Sequence, residues 1–427
     1  MTYSNWSLQI DADRIAWLTC DMADASTNVL SAEVLRELAL MLAEISALRP
    51  IGMVVQSGKT NGFIAGADIK EFVKIRTPAE GYELVRAGQS VLQQLENLPF
   101  PSLAALHGFV LGGGLELALA CTYRIGADDP ALSLGLPEVM LGIHPGFGGT
   151  VRTVRTIGVR AALELMLKGR PFKAQRALSV GLLDELVPPA ALRLSAKARL
   201  VRHPGRKSAP FLDTLLNVGA LRPLVAKRTL GTLRRSVRRE HYPAPYAILE
   251  LWQKYGAAGA AAYEAEARSI SELMCTPTSR NLVRVFLLQD RLKSLGSESR
   301  AEFKHVHVVG AGVMGGDIAA WAAFRGLTVT LQDRSEELIR AALLRAKTFF
   351  EKRLKDPAAA ADAASRLTMD VKGDGAAKAD VVIEAIFEDI GAKQTLYAEL
   401  EPKLKASATL ASNTSSIPIE TLCQKLA

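Results

Sequence analysis

The sequence predicts an α/β protein in which two regions of alternating strands and helices are separated by a basic, mostly helical connector. Short apolar runs alternate with amphipathic segments from the N-terminus to about residue 190, and the same alternation restarts after residue 300. The chain has 427 residues, of which 49% are hydrophobic and 22% are charged. This composition is typical of globular proteins, and the length is sufficient for two or three domains.

The first region begins with a predicted hairpin, in which Trp6–Ile10 and Ile15–Cys20 are joined by a polar turn. Ser31 is suited to cap a helix whose apolar residues recur every three or four positions up to Leu48. The next elements continue the alternation. Their predicted bounds are a strand at 51–55, a helix at 79–98, a strand at 102–106, a helix at 115–120 and a strand at 123–127.

Pro188-Pro189 interrupts this pattern, and residues 191–300 are predicted to form the connector, with helical stretches at 247–271 and 278–294. Between Arg193 and Glu240 the connector holds thirteen lysines and arginines against two acidic residues, although the whole chain has a net charge of only +8. This local basicity is compatible with a solvated helical face, with the phosphates of CoA, with an anionic membrane or with nucleic acid. Nucleic acid is disfavoured, because no aromatic residue that could stack on a base lies between Phe211 and Tyr242.

The second α/β region carries a nucleotide-binding pattern. An apolar strand leads into Gly310, Gly312 and Gly315, and the following strand ends at Asp333. Glycines at these positions let a pyrophosphate approach the N-terminus of a helix, and a carboxylate at the end of the second strand accepts hydrogen bonds from the adenosine ribose. The order of these features predicts a Rossmann-type domain that binds NAD rather than NADP, because the carboxylate disfavours a 2′-phosphate.

Composition and patterning exclude several other classes. The sequence has no uncharged apolar run of 18 residues and no apolar N-terminal stretch, so neither a transmembrane segment nor a secretory signal is predicted. Four cysteines lie more than a hundred residues apart, and the six histidines are dispersed. We therefore expect no disulfide framework, no metal site and a cytoplasmic location.

Two turns rich in glycine and alanine precede helices in the first region, at Ala65–Asp68 and Gly112–Glu116. Amides at such positions point outward at the positive end of a helix dipole, and two that converge form an oxyanion hole. The glycines could equally serve only the close packing of a strand and a helix. Glu116 and Glu138 lie in apolar stretches, where burial raises a carboxyl pKa toward neutrality and suits acid–base catalysis. Either acid could instead face solvent or pair with an arginine.

The motifs at 63–70, 107–116 and 136–150 together resemble the enoyl-CoA hydratase (crotonase) family over roughly residues 5–190. The resemblance implies an N-terminal crotonase domain, a ββα spiral, which we place at residues 1–190. It implies that the family's oxyanion-hole amides and catalytic glutamates have counterparts in this sequence. By position these are the amides of Ala67 and Gly113 and the carboxyl groups of Glu116 and Glu138.

The reaction implied by this resemblance is the syn addition of water to a 2-trans-enoyl-CoA, a step of fatty acid β-oxidation. Glu116 would activate the water that attacks the β-carbon, and Glu138 would deliver the proton to the α-carbon. Because both acids are present, hydration is favoured, although double-bond isomerisation through Glu138 stays open. His107 and His144 lie near the motifs, but the resemblance gives neither a role.

The second α/β region resembles the N-terminal half of the 3-hydroxyacyl-CoA dehydrogenase domain, on the motifs at 308–316, 383–388 and 412–416. We place this NAD-binding part at residues 301–427. Transferred by position, the residues that line its cofactor or substrate site are Gly310, Gly312, Met314, Gly315, Asp333, Ala385, Glu388, Lys393 and Ser415.

The order of the regions, together with the connector motifs at 242–245 and 286–290, resembles the multifunctional fatty acid oxidation α-subunits, in which a hydratase domain precedes the dehydrogenase domain. In that family Asp290 matches a substrate-contacting position, and a thiolase β-subunit is the partner. The family's dehydrogenase histidine lies beyond the last motif, whereas this sequence ends about ten residues after Ser416. We therefore expect an active hydratase and an incomplete dehydrogenase domain that is inactive in this chain. The alternative is a non-catalytic crotonase-fold scaffold that binds polyanions through residues 193–240.

Overall fold

The computed structural model describes residues 3–23, 25–295 and 302–426, and the chain divides into two compact units. Unit 1 spans Met1–Ser294 and unit 2 spans Leu295–Ala427. The residues from 191 to 294, which the sequence analysis treats as a connector, belong to unit 1. Among the described residues, no helix combines the length and the apolar character that a membrane span requires.

The strands described in unit 1 are β1 (Trp6–Ile10), β2 (Ile15–Cys20), β3 (Gly52–Ser57), β4 (Gly62–Ile64), β5 (Ser102–Leu106), β6 (Phe109–Leu111), β7 (Tyr123–Ala127), β8 (Ser133–Gly135), β9 (Phe172–Lys173) and β10 (Glu185–Val187). They form a six-stranded sheet in the order β1-β2-β3-β5-β7-β10 and a four-stranded sheet in the order β4-β6-β8-β9. The pairs β1/β2 and β8/β9 are antiparallel, and the other pairs are parallel. The hairpin predicted from the sequence is confirmed.

The helices described in unit 1 are α1 (Ala32–Leu48), α2 (Ile69–Phe72), α3 (Pro78–Glu96), α4 (Gly113–Ala120), α5 (Gly149–Lys168), α6 (Ala174–Ser179), α7 (Leu192–Arg202), α8 (Phe211–Leu216), α9 (Arg222–Ser236), α10 (Ala244–Tyr255), α11 (Ala260–Met274) and α12 (Pro277–Leu295), with 3₁₀ helices at Pro137–Leu141 and Pro189–Ala191. The Ser31 hydroxyl caps α1 by accepting the Val34 amide hydrogen at 3.2 Å, as expected. Val34, Leu38 and Ile45 of α1 are buried on the face that the spacing predicted.

The prediction of one helix over 247–271 is wrong, because the helix is interrupted between α10 and α11. Gly256 and Gly259 adopt positive φ angles of 64° and 81°, which end one helix and start the next. Both helices then pack into unit 1, α10 against α5 and α9, and α11 against α3. Trp252 and Ile270 are buried in the same hydrophobic core as the first α/β region. Helices beyond residue 191 are therefore part of the structure that holds the site.

Unit 2 contains one parallel sheet with helices beside it. Its described elements are β11 (His305–Val309), α13 (Val313–Phe324), β12 (Thr328–Gln332), α14 (Glu336–Arg353), α15 (Pro357–Ser365), β13 (Leu367–Met369), β14 (Val381–Glu384), α16 (Ile390–Leu400), β15 (Thr409–Ser412) and α17 (Ile419–Leu422). The strand order is β13-β12-β11-β14-β15, with every pair parallel. This is the doubly wound order of a Rossmann-type domain, as the sequence predicts.

Candidate active site

A cavity of about 300 Å³ in unit 1 brings together the four residues that the sequence singled out for catalysis. Ala67 lies in the loop before α2, Gly113 begins α4, Glu116 lies one turn further along α4, and Glu138 lies in the 3₁₀ helix 137–141. Apart from His144, the remaining walls are apolar, and they come from α2, α3, α11, α12, the 3₁₀ helix 137–141, the loop before α5 and the end of β6. The cavity therefore offers two backbone turns and two carboxyl groups to a ligand that is otherwise held by apolar contacts.

The amides of Ala67 and Gly113 approach the same space. A Cβ atom built on Gly113 would lie 3.4 Å from the Ala67 nitrogen, and one built on Gly66 would lie 3.7 Å from the Gly113 nitrogen. Leu30 forms hydrogen bonds with the Gly66 carbonyl and the Asp68 amide. The amide of Ala67, which lies between them, therefore points away from Leu30. Within the described part of the chain, neither amide donates a hydrogen bond. Both are therefore available to an acceptor in the cavity.

The consecutive glycines serve both purposes considered for them in the sequence analysis. Gly112 has a φ of 51°, a conformation that other residues rarely adopt, and its amide bonds to the Gly135 carbonyl at 2.9 Å. A Cβ on Gly114 would overlap the carbonyl oxygen of Ile64, so this glycine allows α4 to pack against β4. Gly113 lies between these two positions and lines the cavity.

Glu116 is buried with only 2% of its surface exposed, and it is held by the loop before α5. Its Oε1 accepts hydrogen bonds from the amides of Phe147 and Gly149, each at 2.7 Å. Burial, followed by the neighbouring carboxylates Glu138 and Glu266, raises the pKa of Glu116 well above its usual range. Glu116 is therefore a fixed acid–base group rather than a solvated side chain.

Glu138 is half-buried, and its Oε2 atom is buried without a hydrogen-bond partner among the described residues. Gly142 caps the end of the 3₁₀ helix, and its amide donates to the carbonyl oxygens of Glu138 and Val139. A Cβ on Gly112 would lie only 3.0 Å from Glu138 Oε1, so the two catalytic turns are in close contact. Burial raises the pKa of Glu138 to about 8, which keeps the carboxyl group protonated at neutral pH. An unpartnered carboxyl oxygen facing a cavity is positioned to exchange a proton with a ligand.

Sequence reasoning missed a third buried acid, Glu266 of α11. It is fully buried and accepts hydrogen bonds from the amides of Gly148 at 2.6 Å and Thr150 at 2.9 Å. The available signal was an acid in the apolar stripe of α11, four residues after Ala262 and four before Ile270, both buried. Glu266 was not recognised because it lies beyond residues 5–190, where the sequence resembles the crotonase family.

The two histidines near the motifs make structural contacts. The ring nitrogens of His144 lie 2.7 Å from the Pro145 carbonyl oxygen and 2.9 Å from Ser269 Oγ, and burial lowers its pKa to about 4. His107 Nε2 lies 2.7 Å from the Lys59 carbonyl oxygen. Within the residues that the structure describes, no group of three His, Cys, Asp or Glu side chains could hold a metal ion.

The glycine-rich turn of unit 2 has the local geometry of a pyrophosphate site. Gly310 has a φ of 106°, and a Cβ on Gly315 would overlap the Gly310 carbonyl oxygen. No atom lies within 4 Å of a Cβ built on Gly312, so a ligand can approach that backbone. Asp333 follows β12 and accepts the Ala311 amide hydrogen at 2.7 Å, which fixes its carboxylate beside the turn. These residues fit a dinucleotide whose phosphates lie at the N-terminus of α13.

The other predicted residues of unit 2 differ in how they are placed. The Glu388 carboxylate accepts the Ser415 amide hydrogen at 2.9 Å, and Met314 is exposed on the first turn of α13. Ala385 packs against Gly310, because a Cβ on that glycine would lie 2.5 Å from the Ala385 carbonyl oxygen. Lys393, by contrast, is fully buried: its Nζ lies 3.0 Å from Glu384 Oε1 and 2.9 Å from Glu388 Oε2. In the structure the Lys393 ammonium group therefore forms ion pairs with Glu384 and Glu388 and helps to hold the Glu388 carboxylate in place.

Asp290 is not brought into the catalytic cavity. It is exposed on α12, whereas the residue of that helix that lines the cavity is Phe286, one turn earlier. A larger apolar cavity of about 990 Å³ lies beside the catalytic one in unit 1. Residues that line both cavities are Met140, Leu141 and Phe286.

Much of the basic segment is used within the protein. Arg193 stacks on the Trp17 ring at 3.8 Å, Arg199 lies 3.5 Å from Asp184, and Lys207 donates to the Asp184 carbonyl at 3.0 Å. Exposed cations of α9 that form no ion pair with a described residue are Lys227, Arg228, Arg234 and Arg235. The concentration of charge therefore includes structural contacts as well as a solvated helical face.

Two family models match the chain. The model for enoyl-CoA hydratase/isomerase matches residues 15–217, and the model for the 3-hydroxyacyl-CoA dehydrogenase NAD-binding domain matches residues 305–427. Similar solved structures include an enoyl-CoA hydratase from Bacillus anthracis, with 34% identity over 46% of this chain and 76% of that chain and a TM-score of 0.44. The human mitochondrial delta3-delta2-enoyl-CoA isomerase has 24% identity over 68% of this chain and 99% of that chain, with a TM-score of 0.50.

The chain therefore combines an enoyl-CoA hydratase/isomerase domain at residues 15–217 with the NAD-binding domain of the 3-hydroxyacyl-CoA dehydrogenase family at residues 305–427. The family resemblance and the fold class expected from the sequence are thereby confirmed. The protein is an enzyme of fatty acid β-oxidation, and NAD is the cofactor of its second domain.

Proposed function

We propose that unit 1 adds water to the double bond of a 2-trans-enoyl-CoA, with Glu116 and Glu138 as its catalytic residues. The observation that carries this proposal is one cavity lined by both carboxyl groups and by the amides of Ala67 and Gly113. The two amides bind the thioester oxygen, Glu116 takes a proton from the attacking water, and Glu138 gives a proton to the α-carbon.

The mechanism begins with polarisation of the thioester. Hydrogen bonds from the two amides to the carbonyl oxygen draw electron density from the double bond and stabilise the enolate-like charge that develops on that oxygen. Preorganised donors of this kind need no rearrangement during the reaction, so they favour the transition state over the bound substrate. The apolar walls strengthen the interaction by excluding water.

The two acids then move protons in opposite directions. Glu116 accepts a proton from water as the water oxygen bonds to the β-carbon, and Glu138 donates its proton to the α-carbon, which completes a syn addition. The protonated state of Glu138 at neutral pH suits the second role, since its pKa lies at about 8. Proton exchange with solvent restores both groups, so no other reactant is consumed. Isomerisation of a 3-enoyl-CoA would use Glu138 alone, first as base and then as acid.

In unit 2 we propose that Gly310, Gly312 and Gly315 bind the pyrophosphate of NAD and that Asp333 binds its adenosine ribose. When bound, NAD supplies the hydride acceptor for oxidation of a 3-hydroxyacyl-CoA. Glu388 and Ser415, which are hydrogen-bonded to each other, would line the cofactor or substrate site on the strength of the resemblance. Met314 and Ala385 would contact the dinucleotide. Asp290, which belongs to unit 1, matches a substrate-contacting position only by the resemblance.

The hydratase proposal is tested by following the loss of the conjugated enoyl absorbance of crotonyl-CoA with the purified chain. Accumulation of 3-hydroxybutyryl-CoA at an enzyme-dependent rate supports it, and no turnover above a protein-free control contradicts it. Incubation with a 3-enoyl-CoA tests isomerisation, because a transient rise of the conjugated absorbance, followed by accumulation of 3-hydroxyacyl-CoA, requires that 2-enoyl-CoA is formed first.

We also propose a thiolase β-subunit as the partner and the cytoplasm as the location. The first follows from the order of the two domains, which resembles the multifunctional α-subunits. The second is supported by the cysteines, all four of which are free thiols. Co-purification of a tagged chain from its own cells, followed by identification of the bound subunit, tests the partner.

A further inference from the structure

Four consecutive backbone amides before and at the start of α5 are divided between two buried carboxylates. The amides of Phe147 and Gly149 donate to Glu116, whereas the intervening amide of Gly148 and the following amide of Thr150 donate to Glu266. The alternation means that neither carboxylate can move without turning the peptide planes that bind the other. Glu266 lies on α11, which is far from α4 in the sequence.

Glu266 has more hydrogen-bond donors than Glu116. Besides the two amides, the Thr150 hydroxyl donates to its Oε2, and Gln89 Nε2 donates to its Oε1 at 3.1 Å. Hydrogen bonds to a carboxylate favour its ionised form, and four donors offset much of the cost of burying it. Burial raises the pKa of Glu266 as well, but Glu116 has only two such donors, so Glu266 ionises at a lower pH than Glu116 and is already negatively charged when Glu116 titrates.

We propose that Glu266 is a positioning residue for Glu116, holding the amides of 147–150 in the orientation that Glu116 requires and placing a fixed negative charge behind it. This inference rests on the proposed hydratase function of Glu116. The negative charge of Glu266 favours the protonated form of Glu116 and Glu138. The pKa of each is thereby raised toward the pH at which an acid–base pair works. Glu266 itself is not among the residues that line the cavity.

Besides Glu116, the ionisable side chains that interact electrostatically with Glu266 are those of Glu138 and Tyr263. Arg86, Glu96, His144 and Arg152 lie one contact further away, on Gln89, Arg152, Ser269 and Tyr263 respectively. Arg152 and Glu96 pair with each other at 2.8 Å, and Arg86 donates to Gln89 rather than to an acid of the site. Burial lowers the pKa of His144 and raises that of Tyr263, so both are neutral near pH 7. Glu116 and Glu138 are the groups left to respond to the charge of Glu266.

The test is the pH profile of kcat for crotonyl-CoA hydration in the Glu266→Gln variant. The side chain keeps its size and one carbonyl oxygen, but the negative charge is lost. We expect kcat at pH 7 to fall about tenfold, because the amides of 147–150 no longer hold Glu116 in position, with KM changed less than twofold. The loss of charge should also move both limbs of the profile to lower pH by at least half a unit. Glu272→Gln, an exposed site on the same helix, is the matched control and should leave the profile unchanged.

A merely structural role would lower the amount of folded protein without moving the profile, so a folded Glu266→Gln variant with an unchanged profile overturns the proposal. If that variant does not fold, Thr150→Val decides, since it removes one donor from Glu266 and keeps the backbone amide. A smaller shift in the same direction supports the proposal, and an unchanged profile overturns it.

Failure of the hydratase function can be distinguished from failure of this inference. The carboxyl titration of Glu116 can be followed by infrared or ¹³C NMR spectroscopy, with the signal assigned by its loss in Glu116→Gln. If the wild-type chain does not turn over crotonyl-CoA, the proposed function fails. A titration of Glu116 that does not move to lower pH in Glu266→Gln rejects the positioning role by itself.

Discussion

Replacement of Glu138 by glutamine is the sharpest test of the proposed proton transfer. Glu138 Oε2 is buried without a hydrogen-bond partner within the described structure, so the amide removes no contact that stabilises the fold. A positioned general acid contributes about 10²- to 10⁴-fold to a rate, which corresponds to about 3–5 kcal/mol of transition-state free energy. We expect Glu138→Gln to lower kcat for hydration by this factor and to leave KM nearly unchanged.

The same residue sets the expected pH dependence. With a pKa of about 8, Glu138 is protonated in about nine of ten molecules at pH 7, so wild-type activity should fall as the pH rises through 8. The folded protein binds this proton more tightly than the unfolded chain does. Stability contributed by the protonated carboxyl is therefore present at low pH and is lost as the pH rises from the ordinary glutamate range to about 8. Both dependences should be absent in Glu138→Gln.

The assay is the initial rate of crotonyl-CoA absorbance loss between pH 6 and pH 9, with urea unfolding of the same preparations. Glu83→Gln, an exposed site on α3, is the matched control and should behave as wild type. The reasoning is refuted if Glu138→Gln is folded and retains kcat within threefold of wild type, or if its rate still declines above pH 8. A loss of rate that merely follows a loss of folded protein also counts against the proposed role.

Three further perturbations test other parts of the structure. Gly149→Ala would place a Cβ 2.6 Å from Glu116 Oε1, so kcat should fall at least tenfold, whereas Gly231→Ala, with open space around it, should be neutral or slightly stabilising by thermal unfolding. Asp333→Ala should weaken NAD binding about 10- to 100-fold, measured by calorimetry, because a charged hydrogen-bond acceptor is lost. The ratio of the affinities for NAD and NADP should also decrease, because the carboxylate that disfavours the 2′-phosphate is absent. Lys393→Met leaves Glu384 buried without its cation and should destabilise unit 2 by about 3–5 kcal/mol in urea unfolding, whereas the exposed Lys372→Met should not.

Local sequence signals were sufficient where the physical cause is itself local. Ser31 predicted the start of α1 because a hydroxyl at an N-cap satisfies a nearby amide, and Asp333 was found because the acid ends a strand after a glycine-rich turn. The break between α10 and α11 was missed because a helix can contain an occasional glycine at a modest cost, and only the positive φ angles of Gly256 and Gly259 show that these two interrupt the helix. The roles of the glycines at 112–114 could not be separated either, since they depend on what α4 packs against.

Buried charge was the feature that the sequence could least resolve. Lys393 matches a cofactor-site position by resemblance, yet the structure surrounds it with Glu384 and Glu388 and leaves none of it exposed. A lysine four residues into an amphipathic helix gives no sign of partners that precede the helix in the chain. Its position depends on the packing of α16 against β14, which brings Glu384 to its ammonium group.

The location of Glu266 explains why the helices beyond residue 191 belong with the catalytic residues. A carboxylate such as Glu116 is useful in an apolar cavity only if fixed donors hold it, and the donors here are alternate amides of one short loop. The remaining amides of that loop would be buried without acceptors unless another group received them, at a cost of about 1–3 kcal/mol each. Glu266 on α11 receives both, and α11 is itself held against α3 by the core that includes Ile270. Loss of the contacts that α11 makes would therefore release the loop that fixes Glu116.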